Sequence, residues 1–149
     1  MVCLGNICRS PLAHGIMSNR IAELGLDWEV DSAGTSAWHA GEQPDRRSAQ
    51  VAMENGIDIS SQRARQFVKN DFAKFDHILA MDASNYNNIL QLAPSDADRE
   101  KVSMLLNYTY PGQNRQVPDP YYEGGFSSVY NMIYQAVDDF IRSIQKVNG

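Results

Sequence analysis

The sequence predicts a single α/β domain built on a doubly wound, four-stranded parallel sheet. Three observations lead to this fold class. Short apolar segments alternate along the chain with longer segments whose apolar residues recur at helical spacing. The 149 residues are 43% hydrophobic and 21% charged, which is typical of a globular domain with a sizeable core. No linker, internal repeat or low-complexity tract interrupts the chain, so we expect residues 1–149 to form one domain.

The first strand is predicted to end at Cys3 and is unusually short. A central parallel strand is normally an unbroken apolar run of about five or six residues, whereas only Met1 and Val2 precede this cysteine. We therefore expect either that the numbering begins at an internal methionine or that the strand is abbreviated.

The segment between Cys3 and Arg9 predicts a tight loop that binds an anion. Gly5 and Asn6 are the residue types that most easily adopt a positive φ, so the backbone can curl here. Backbone N–H groups of the loop and of the first turn of the next helix then converge on one point, where the helix N-terminus favours negative charge. The planar guanidinium of Arg9 suits two oxygens of a phosphate.

Cys3 is the candidate nucleophile of this loop. A thiol that faces backbone N–H groups and an arginine ionises readily, and the hydroxyl of Ser10 could donate a hydrogen bond to the thiolate. The competing interpretation is a buried strand cysteine, which is a common fate of this residue type. The arginine and the Gly-Asn turn favour a thiolate that is directed at phosphorus.

The first helix is predicted over residues 11–24. Ser10 is a favourable N-cap, proline suits the first helical position, and Gly25 is predicted to end the helix. The second strand is predicted over residues 28–32, which alternate between apolar and polar side chains. Because the carboxyl ends of parallel strands share one edge, Ser32 should lie beside the first loop.

The rest of the chain continues this alternation. We predict helices over residues 46–55, 83–92 and 126–147 and strands over residues 75–81 and 101–106. Asp82 is predicted to cap the second of these helices. Arg63, Arg65 and Lys69 form a basic cluster that we expect to be solvated. A long loop, residues 107–125, is predicted before the last helix.

Charge and cysteine content argue against several kinds of partner and site. The net charge of −5 makes nucleic acid or an anionic membrane an unexpected partner, and neither a signal-peptide pattern nor a membrane-length apolar run is present. Cys3 and Cys8 form neither a disulfide framework nor a zinc pattern, and the three histidines lack metal-ligand spacing. We therefore expect no metal site, and a reducing cytoplasm as the location of a working thiolate.

The segment from Cys3 to Pro11 resembles the signature loop of the low-molecular-weight protein tyrosine phosphatases. Further segments agree with that family in the same order and over nearly the whole chain, namely residues 31–35, 38–39, 64–66, 75–82 and 118–122. A cysteine and an arginine separated by five residues occur in all cysteine phosphatases, but the distant Asp-Pro-Tyr-Tyr makes the match specific. The resemblance implies a flavodoxin-like strand order with helices on both faces of the sheet.

The resemblance also implies the activity, which is hydrolysis of phosphotyrosine in protein substrates and of small aryl phosphates through a cysteinyl-phosphate intermediate. Cys3 would be the nucleophile, Arg9 would bind the phosphate, and Asp119 would act as general acid and then as base. No metal or organic cofactor is required. Ser32 is implied to support the loop through a hydrogen bond with Asn6. The residues implied to bind phosphate or substrate are Leu4, Gly5, Asn6, Ile7, Cys8, Ser10, Trp38, Tyr121 and Tyr122.

Asp119 is the candidate general acid. Expulsion of a phenolate needs a proton, and no histidine is placed to supply it. Pro118 and Pro120 stiffen the backbone, and the loop begins beyond the fourth strand. From these residues alone, a Pro-Asp-Pro surface turn is an equal alternative, and the resemblance decides for the catalytic role. Asp82 is the competing carboxylate and is interpreted as a helix cap.

Aromatic and apolar residues indicate the substrate. The resemblance places Trp38 and Tyr121 at the cleft mouth, although loop aromatics are often partial core. Tyr122 is a further candidate for an aromatic wall, and we expect His39 at the rim of the pocket. Ile7 favours an aryl ring beside the anion, whereas relatives with a small hydroxylated residue here are associated with phosphoarginine. By family analogy alone, the two tyrosines are themselves candidate phosphorylation sites.

Other functions of the same loop remain alternatives. A thioredoxin-coupled arsenate reductase shares the fold but needs cysteines after Cys8, and this sequence has none. A non-catalytic phosphate-binding module predicts no hydrolysis, and a redox-only thiol protein is disfavoured because Cys-x-x-Cys spacing is missing. Cys8 either packs in the core or condenses with Cys3 after peroxide has oxidised Cys3 to a sulfenic acid, which would give a reversible disulfide.

Overall fold

The structure, a computed structural model, describes residues 1–148 apart from the side chains of Glu123 and Asn148. Four parallel strands form one sheet in the order β2-β1-β3-β4, which is the flavodoxin-like order. The strands are β1 (Val2–Cys3), β2 (Ala33–Gly34), β3 (Ile78–Ala80) and β4 (Val102–Met104). The α/β fold class that the alternation of elements predicts is therefore confirmed.

Helices cover both faces of this sheet. One hydrophobic cluster joins α1, α2 and α7 to the sheet, and a second one joins β3 and β4 to α3 and α4. The helices are α1 (Arg9–Leu24), α2 (Arg46–Glu54), α3 (Asp71–Lys74), α4 (Ala83–Leu92), α5 (Asp96–Arg99), α6 (Pro120–Glu123) and α7 (Phe126–Asn148), and a 3-10 turn covers Leu105–Tyr108. No helix among residues 1–148 is long and apolar enough to cross a membrane.

The short first strand lies in the centre of the sheet and is paired on both sides. Val2 is in register with Ala33 of β2 and with Ala80 of β3. Cys3 pairs with Gly34 and is the last residue of β1. Parallel strands align their carboxyl ends, so this cysteine lies at the edge where an open α/β sheet binds its ligands.

The strand predicted over residues 28–32 is wrong, because that segment is irregular and the strand follows it as β2. The ladder begins where β1 begins, since the N–H of Ala33 donates to the carbonyl of Met1. Trp28 and Val30 still pack against the core, which explains their alternating pattern. The strands β3 and β4 are likewise shorter than predicted.

The basic cluster predicted to be solvated is only partly so. Arg65 is half-buried and pairs with Asp31 at 3.1 Å and with Asp71 at 3.0 Å. The guanidinium thus joins the segment before β2 to the start of α3, whereas Arg63 and Lys69 are exposed as expected.

Candidate active site

Cys3 is buried at the end of β1, and its sulfur contacts a hydroxyl. Its Sγ lies 3.1 Å from Ser10 Oγ, and this oxygen accepts a hydrogen bond from Asn6 Nδ2 at 2.8 Å. Because the amide occupies the hydroxyl as acceptor, the hydroxyl hydrogen is available to the sulfur. A thiolate at Cys3 would therefore receive a hydrogen bond from Ser10.

Ser10 does not have the capping role predicted for it. The helix α1 begins one residue earlier, at Arg9, and its N-cap is Cys8, which makes no side-chain cap bond. Ser10 is therefore already helical, and its side chain turns back into the loop instead of capping. Pro11 still falls in the first turn, where a missing N–H costs no helical hydrogen bond.

The loop's sharp turn is made by Asn6, whose φ is +57°. Its Oδ1 accepts a hydrogen bond from the backbone N–H of Arg65 at 3.0 Å, which fixes the side chain in the loop. Gly5 was predicted to adopt a positive φ, but its φ is not positive. A Cβ added at Gly5 would lie 2.9 Å from His39 Cδ2, so glycine allows the imidazole to approach the loop.

Backbone carbonyls of the loop are bonded to the elements around it. The carbonyl of Cys3 accepts from Thr35 N at 2.9 Å, and that of Leu4 accepts from the N–H and hydroxyl of Ser36. On the other side, Ile7 O accepts from Asp45 N at 2.8 Å. Since a peptide C=O and the N–H that follows it point in opposite directions, outward carbonyls turn N–H groups towards the centre of the loop.

Arg9 is almost fully buried, and its guanidinium is held by two acceptors. Nη1 donates to Asp82 Oδ2 at 2.8 Å and to the carbonyl of Val117 at 2.9 Å. Asp82 also caps α4, because its Oδ1 accepts from Asn85 N at 2.8 Å. The predicted cap is therefore correct but incomplete. The sequence gives one hint of the second role, since Asp82 follows a strand that pairs with β1.

Asp119 lies beside Arg9, with Oδ2 3.6 Å from Nη2. Its other oxygen accepts from the N–H of Tyr121 at 3.1 Å, so the aspartate caps the short helix α6. The side chain is 30% exposed, which leaves room for a substrate to approach it. The carboxylate thus lies next to Arg9, at the end of the loop of residues 3–9, which is the candidate phosphate loop, and it comes from a segment that begins at Val117.

One small cavity, of about 40 Å³, brings most of the predicted site residues together. Trp38 and Tyr122 form its outer wall and are 75% and 74% exposed. Asn6, Ser10 and Ser32 lie outside the lining. The residues that line it are Cys3, Leu4, Gly5, Ile7, Cys8, Arg9, Trp38, His39, Asp119, Tyr121 and Tyr122. The cavity therefore joins a thiol, a guanidinium and a carboxylate under a partly aromatic rim.

The hydrogen bond between Ser32 and Asn6 that the resemblance implies is not formed, because each side chain has other partners. Ser32 Oγ lies 3.0 Å from His14 Nδ1, on α1, and Asn6 bonds to Ser10 and Arg65 instead. Ser32 precedes β2 and therefore lies at the amino end of that strand, away from the loop that follows Cys3, where its hydroxyl contacts α1. Burial lowers the pKa of His14, which favours a neutral imidazole in this contact.

Cys8 is a buried free thiol in a small apolar cluster with Ile7 and Ala64. Burial raises its pKa to about 12, and the nearby Asp45 carboxylate adds to the rise. The thiol is therefore protonated at neutral pH, in keeping with a packing role. A peroxide-driven bridge to Cys3 stays a prediction.

No group of three or more histidine, cysteine, aspartate or glutamate side chains within residues 1–148 is arranged to hold a metal ion.

Comparison with known proteins gives consistent matches. A family model described as low molecular weight phosphotyrosine protein phosphatase matches residues 1–148. A low molecular weight phosphotyrosine protein phosphatase of Schizosaccharomyces pombe is 42% identical over 148 residues, which cover 96% of this chain and 94% of the relative.

Solved structures agree with this fold over almost the full chain. YfkJ of Bacillus subtilis superposes with a TM-score of 0.93 at 37% identity, covering 99% of this chain and 94% of the other. A Drosophila arginine phosphatase superposes with a TM-score of 0.89 at 32% identity, covering 96% and 94%.

Proposed function

This chain belongs to the low molecular weight phosphotyrosine protein phosphatase family, and from that premise we propose that it hydrolyses phosphotyrosine in protein substrates through a cysteinyl-phosphate intermediate. The observation that carries the proposal is that Cys3, Arg9 and Asp119 line one cavity. These side chains supply a nucleophile, a phosphate-binding cation and a proton donor, which together are what hydrolysis of a phosphate monoester requires.

In the first step, the Cys3 thiolate attacks phosphorus in line with the leaving oxygen. An S–P bond forms while the P–O bond to the tyrosine ring breaks. Loop N–H groups and Arg9 bind the equatorial oxygens and stabilise the charge that develops on them. The contact between Ser10 Oγ and the sulfur places the hydroxyl where it can donate a hydrogen bond to the attacking thiolate.

Asp119 completes the first step by giving its proton to the phenolate oxygen. In the second step, water attacks the cysteinyl-phosphate, and the same carboxylate, now ionised, accepts the proton of that water. Inorganic phosphate leaves and the thiolate of Cys3 is regenerated. The distance of 3.6 Å from Asp119 to Arg9 supports this role because it puts the carboxylate at the phosphate end of the cavity.

An aryl phosphate fits the cavity lining better than an alkyl guanidinium phosphate does. Ile7 lines the cavity next to the loop, and Trp38 and Tyr121 lie at its mouth, so a flat ring would be enclosed by apolar and aromatic surface. A structural neighbour is named as an arginine phosphatase, so phosphoarginine is the second candidate substrate. Parallel assays on one peptide that carries either modification decide between them, and faster release from phosphotyrosine is expected.

Further properties belong to the same proposal. Residues 1–149 act as one phosphatase domain, which the family match supports. A phosphate or another oxyanion occupies the loop during turnover, and a phosphotyrosine-containing protein is the partner. The chemistry of a free thiolate favours a reducing compartment such as the cytoplasm. Tyr121 and Tyr122, both exposed, are accessible to a kinase.

The experiment that tests the proposed function is a p-nitrophenyl phosphate assay of the native chain and of Cys3→Ser. The native enzyme is expected to turn over and to be inhibited by vanadate, a phosphate mimic. Cys3→Ser is expected to lose turnover but to keep vanadate binding, because the loop N–H groups and Arg9 are unchanged. A native chain that binds vanadate without hydrolysis would indicate a binding module instead.

A further inference from the structure

The segment that carries Asp119, residues 117–125, needs a support near its middle. At its start, Val117 is fixed by hydrogen bonds to Arg9 and to Met81. At its end, Gly124 and Gly125 have φ values of +76° and +79°, and join the segment to α7. Backbone in this left-handed region is characteristic of glycine, the residue with the widest conformational freedom.

Arg47, the second residue of α2, contacts the middle of this segment. Its Nη2 donates to the carbonyl of Tyr121 at 3.4 Å. Its guanidinium carbon lies 5.5 Å from the centre of the Tyr121 ring and 4.6 Å from that of Phe126, within the range of cation–π attraction. Arg47 thus contacts both Tyr121, two positions after Asp119, and Phe126, the first residue of α7.

The carboxylate of Asp45 binds the same guanidinium. Asp45 accepts from Arg47 Nε at 3.1 Å and from Nη2 at 3.0 Å, a planar two-point contact. Burial alone would raise the pKa of Asp45, but its hydrogen bonds from Arg47 hold that pKa below its usual value. The N–H of Asp45 donates to Ile7 O, so this pair is connected to the phosphate loop.

We propose that Arg47 is a positioning residue that sets Asp119 over the phosphate loop, because it joins the loop-bound Asp45 to Tyr121 and Phe126. The inference rests on the proposed function of Asp119 and adds a part that α2 plays in it. The two-point contact with Asp45 requires arginine, since the compact ammonium of lysine has no planar fork.

Arg46 provides a matched control. It precedes Arg47 in the first turn of α2 and is exposed, so Arg46→Met removes the same charge from the same turn. Arg47→Met keeps an apolar stem against the rings and removes the fork. Arg47→Lys restores the charge without the fork.

The first readout is kcat/KM for phenyl phosphate relative to p-nitrophenyl phosphate, since only the poorer leaving group depends strongly on the acid. Arg47→Met is expected to lower kcat/KM for phenyl phosphate by about tenfold or more, and that for p-nitrophenyl phosphate by much less. Arg47→Lys should restore little of this loss, and Arg46→Met should leave the ratio unchanged. In an Asp119→Ala background, Arg47→Met should not change the ratio further.

Equal losses on both substrates, or a ratio that changes as much in Arg46→Met, would overturn the proposal. Hydrogen exchange of the backbone amides of residues 119–125 gives a second readout that needs no turnover. Exchange should be faster in Arg47→Met than in the native chain, with no change in Arg46→Met. Exchange that is the same in Arg47→Met and in the native chain would overturn the proposal, whether or not the chain is active. If instead the proposed function is wrong, the native chain will be inactive while exchange is still faster in Arg47→Met.

Discussion

Single residues of the site take their chemistry from specific neighbours. The Cys3 sulfur has the Ser10 hydroxyl at 3.1 Å, and Arg9 is oriented by Asp82 at 2.8 Å. Residue type and spacing were enough to predict Cys3 and Arg9 as candidates, whereas Asp119 was preferred over a surface turn only through the family resemblance. The hydrogen bond between Arg9 and Asp82 could not be predicted from the sequence. The two residues are 73 positions apart, and a helix cap was already sufficient to explain the aspartate.

Asp119→Ala tests the general acid. We expect kcat/KM for phenyl phosphate to fall by about 10²–10⁴-fold, the usual contribution of a positioned acid. The fall for p-nitrophenyl phosphate should be much smaller, because that phenolate leaves without a proton. Steady-state kinetics on both substrates measure the difference, and equal losses would count against the assignment.

Asp82→Asn tests the support of Arg9. Asparagine retains an oxygen that can cap α4 but removes the charge that faces the guanidinium. We expect kcat/KM to fall by about ten- to hundredfold, and to fall equally for the two substrates, because Arg9 binds phosphate oxygens whatever the leaving group. A loss confined to phenyl phosphate would contradict this role.

Elements of regular structure position these residues, and their predictability depends on length. The predicted helices over residues 11–24, 46–55, 83–92 and 126–147 agree with α1, α2, α4 and α7 to within two residues at each end. The four-residue helices α3, α5 and α6 were not predicted, since four residues carry too little periodicity. The second strand was predicted too early in the chain, from the apolar and polar alternation of residues 28–32. The start of β2 is set instead by its pairing with β1, which begins at the hydrogen bond from Ala33 N to Met1 O.

The contact of β2 with the phosphate loop gives a prediction at this scale. A Cβ added at Gly34 would lie 2.8 Å from Leu4 O and 3.2 Å from Asn6 N, both rigid backbone atoms of the loop. Gly34→Ala should therefore cost about 1–3 kcal/mol of unfolding free energy and weaken vanadate inhibition. Denaturant unfolding and inhibition assays measure the two effects.

Gly15→Ala is the matched control on α1. Its Cβ would lie 2.5 Å from Ile59 Cγ2, a side-chain atom in the core. A comparable loss of stability is expected, with vanadate inhibition unchanged in the folded enzyme. Equal weakening of inhibition in both variants would show that Gly34 acts through stability alone.

At the scale of the whole molecule, the fold brings residues that are far apart in the sequence together at the candidate site. The fold class could be predicted because alternation and chain length leave few topologies, whereas the strand order followed only from the family resemblance. The contact of Asp119 with Arg9 depends on the path of residues 107–125, for which the sequence predicted only a loop. Segments around residues 3–9, 38–39 and 119–122 therefore line one cavity.

Phosphate binding should consequently stabilise the whole fold. At a concentration one hundred times its Kd, phosphate should add about 2.7 kcal/mol to the free energy of unfolding, which corresponds to a rise in Tm of roughly 5–10 °C for a chain of this size. Thermal unfolding with and without phosphate measures it. Cys3→Ser should keep most of the shift and Arg9→Met should lose it, and an undiminished shift in Arg9→Met would place the anion elsewhere.

The most direct measurement is the identity of the covalent intermediate. Asp119→Ala is mixed with p-nitrophenyl phosphate, rapidly denatured, digested and analysed by mass spectrometry, because loss of the base slows hydrolysis of the intermediate and lets it accumulate. One phosphoryl group is expected on the peptide that contains Cys3, and none when Cys3→Ser is combined with Asp119→Ala. Turnover without a phosphoryl group on Cys3, or with one on another residue, would contradict it.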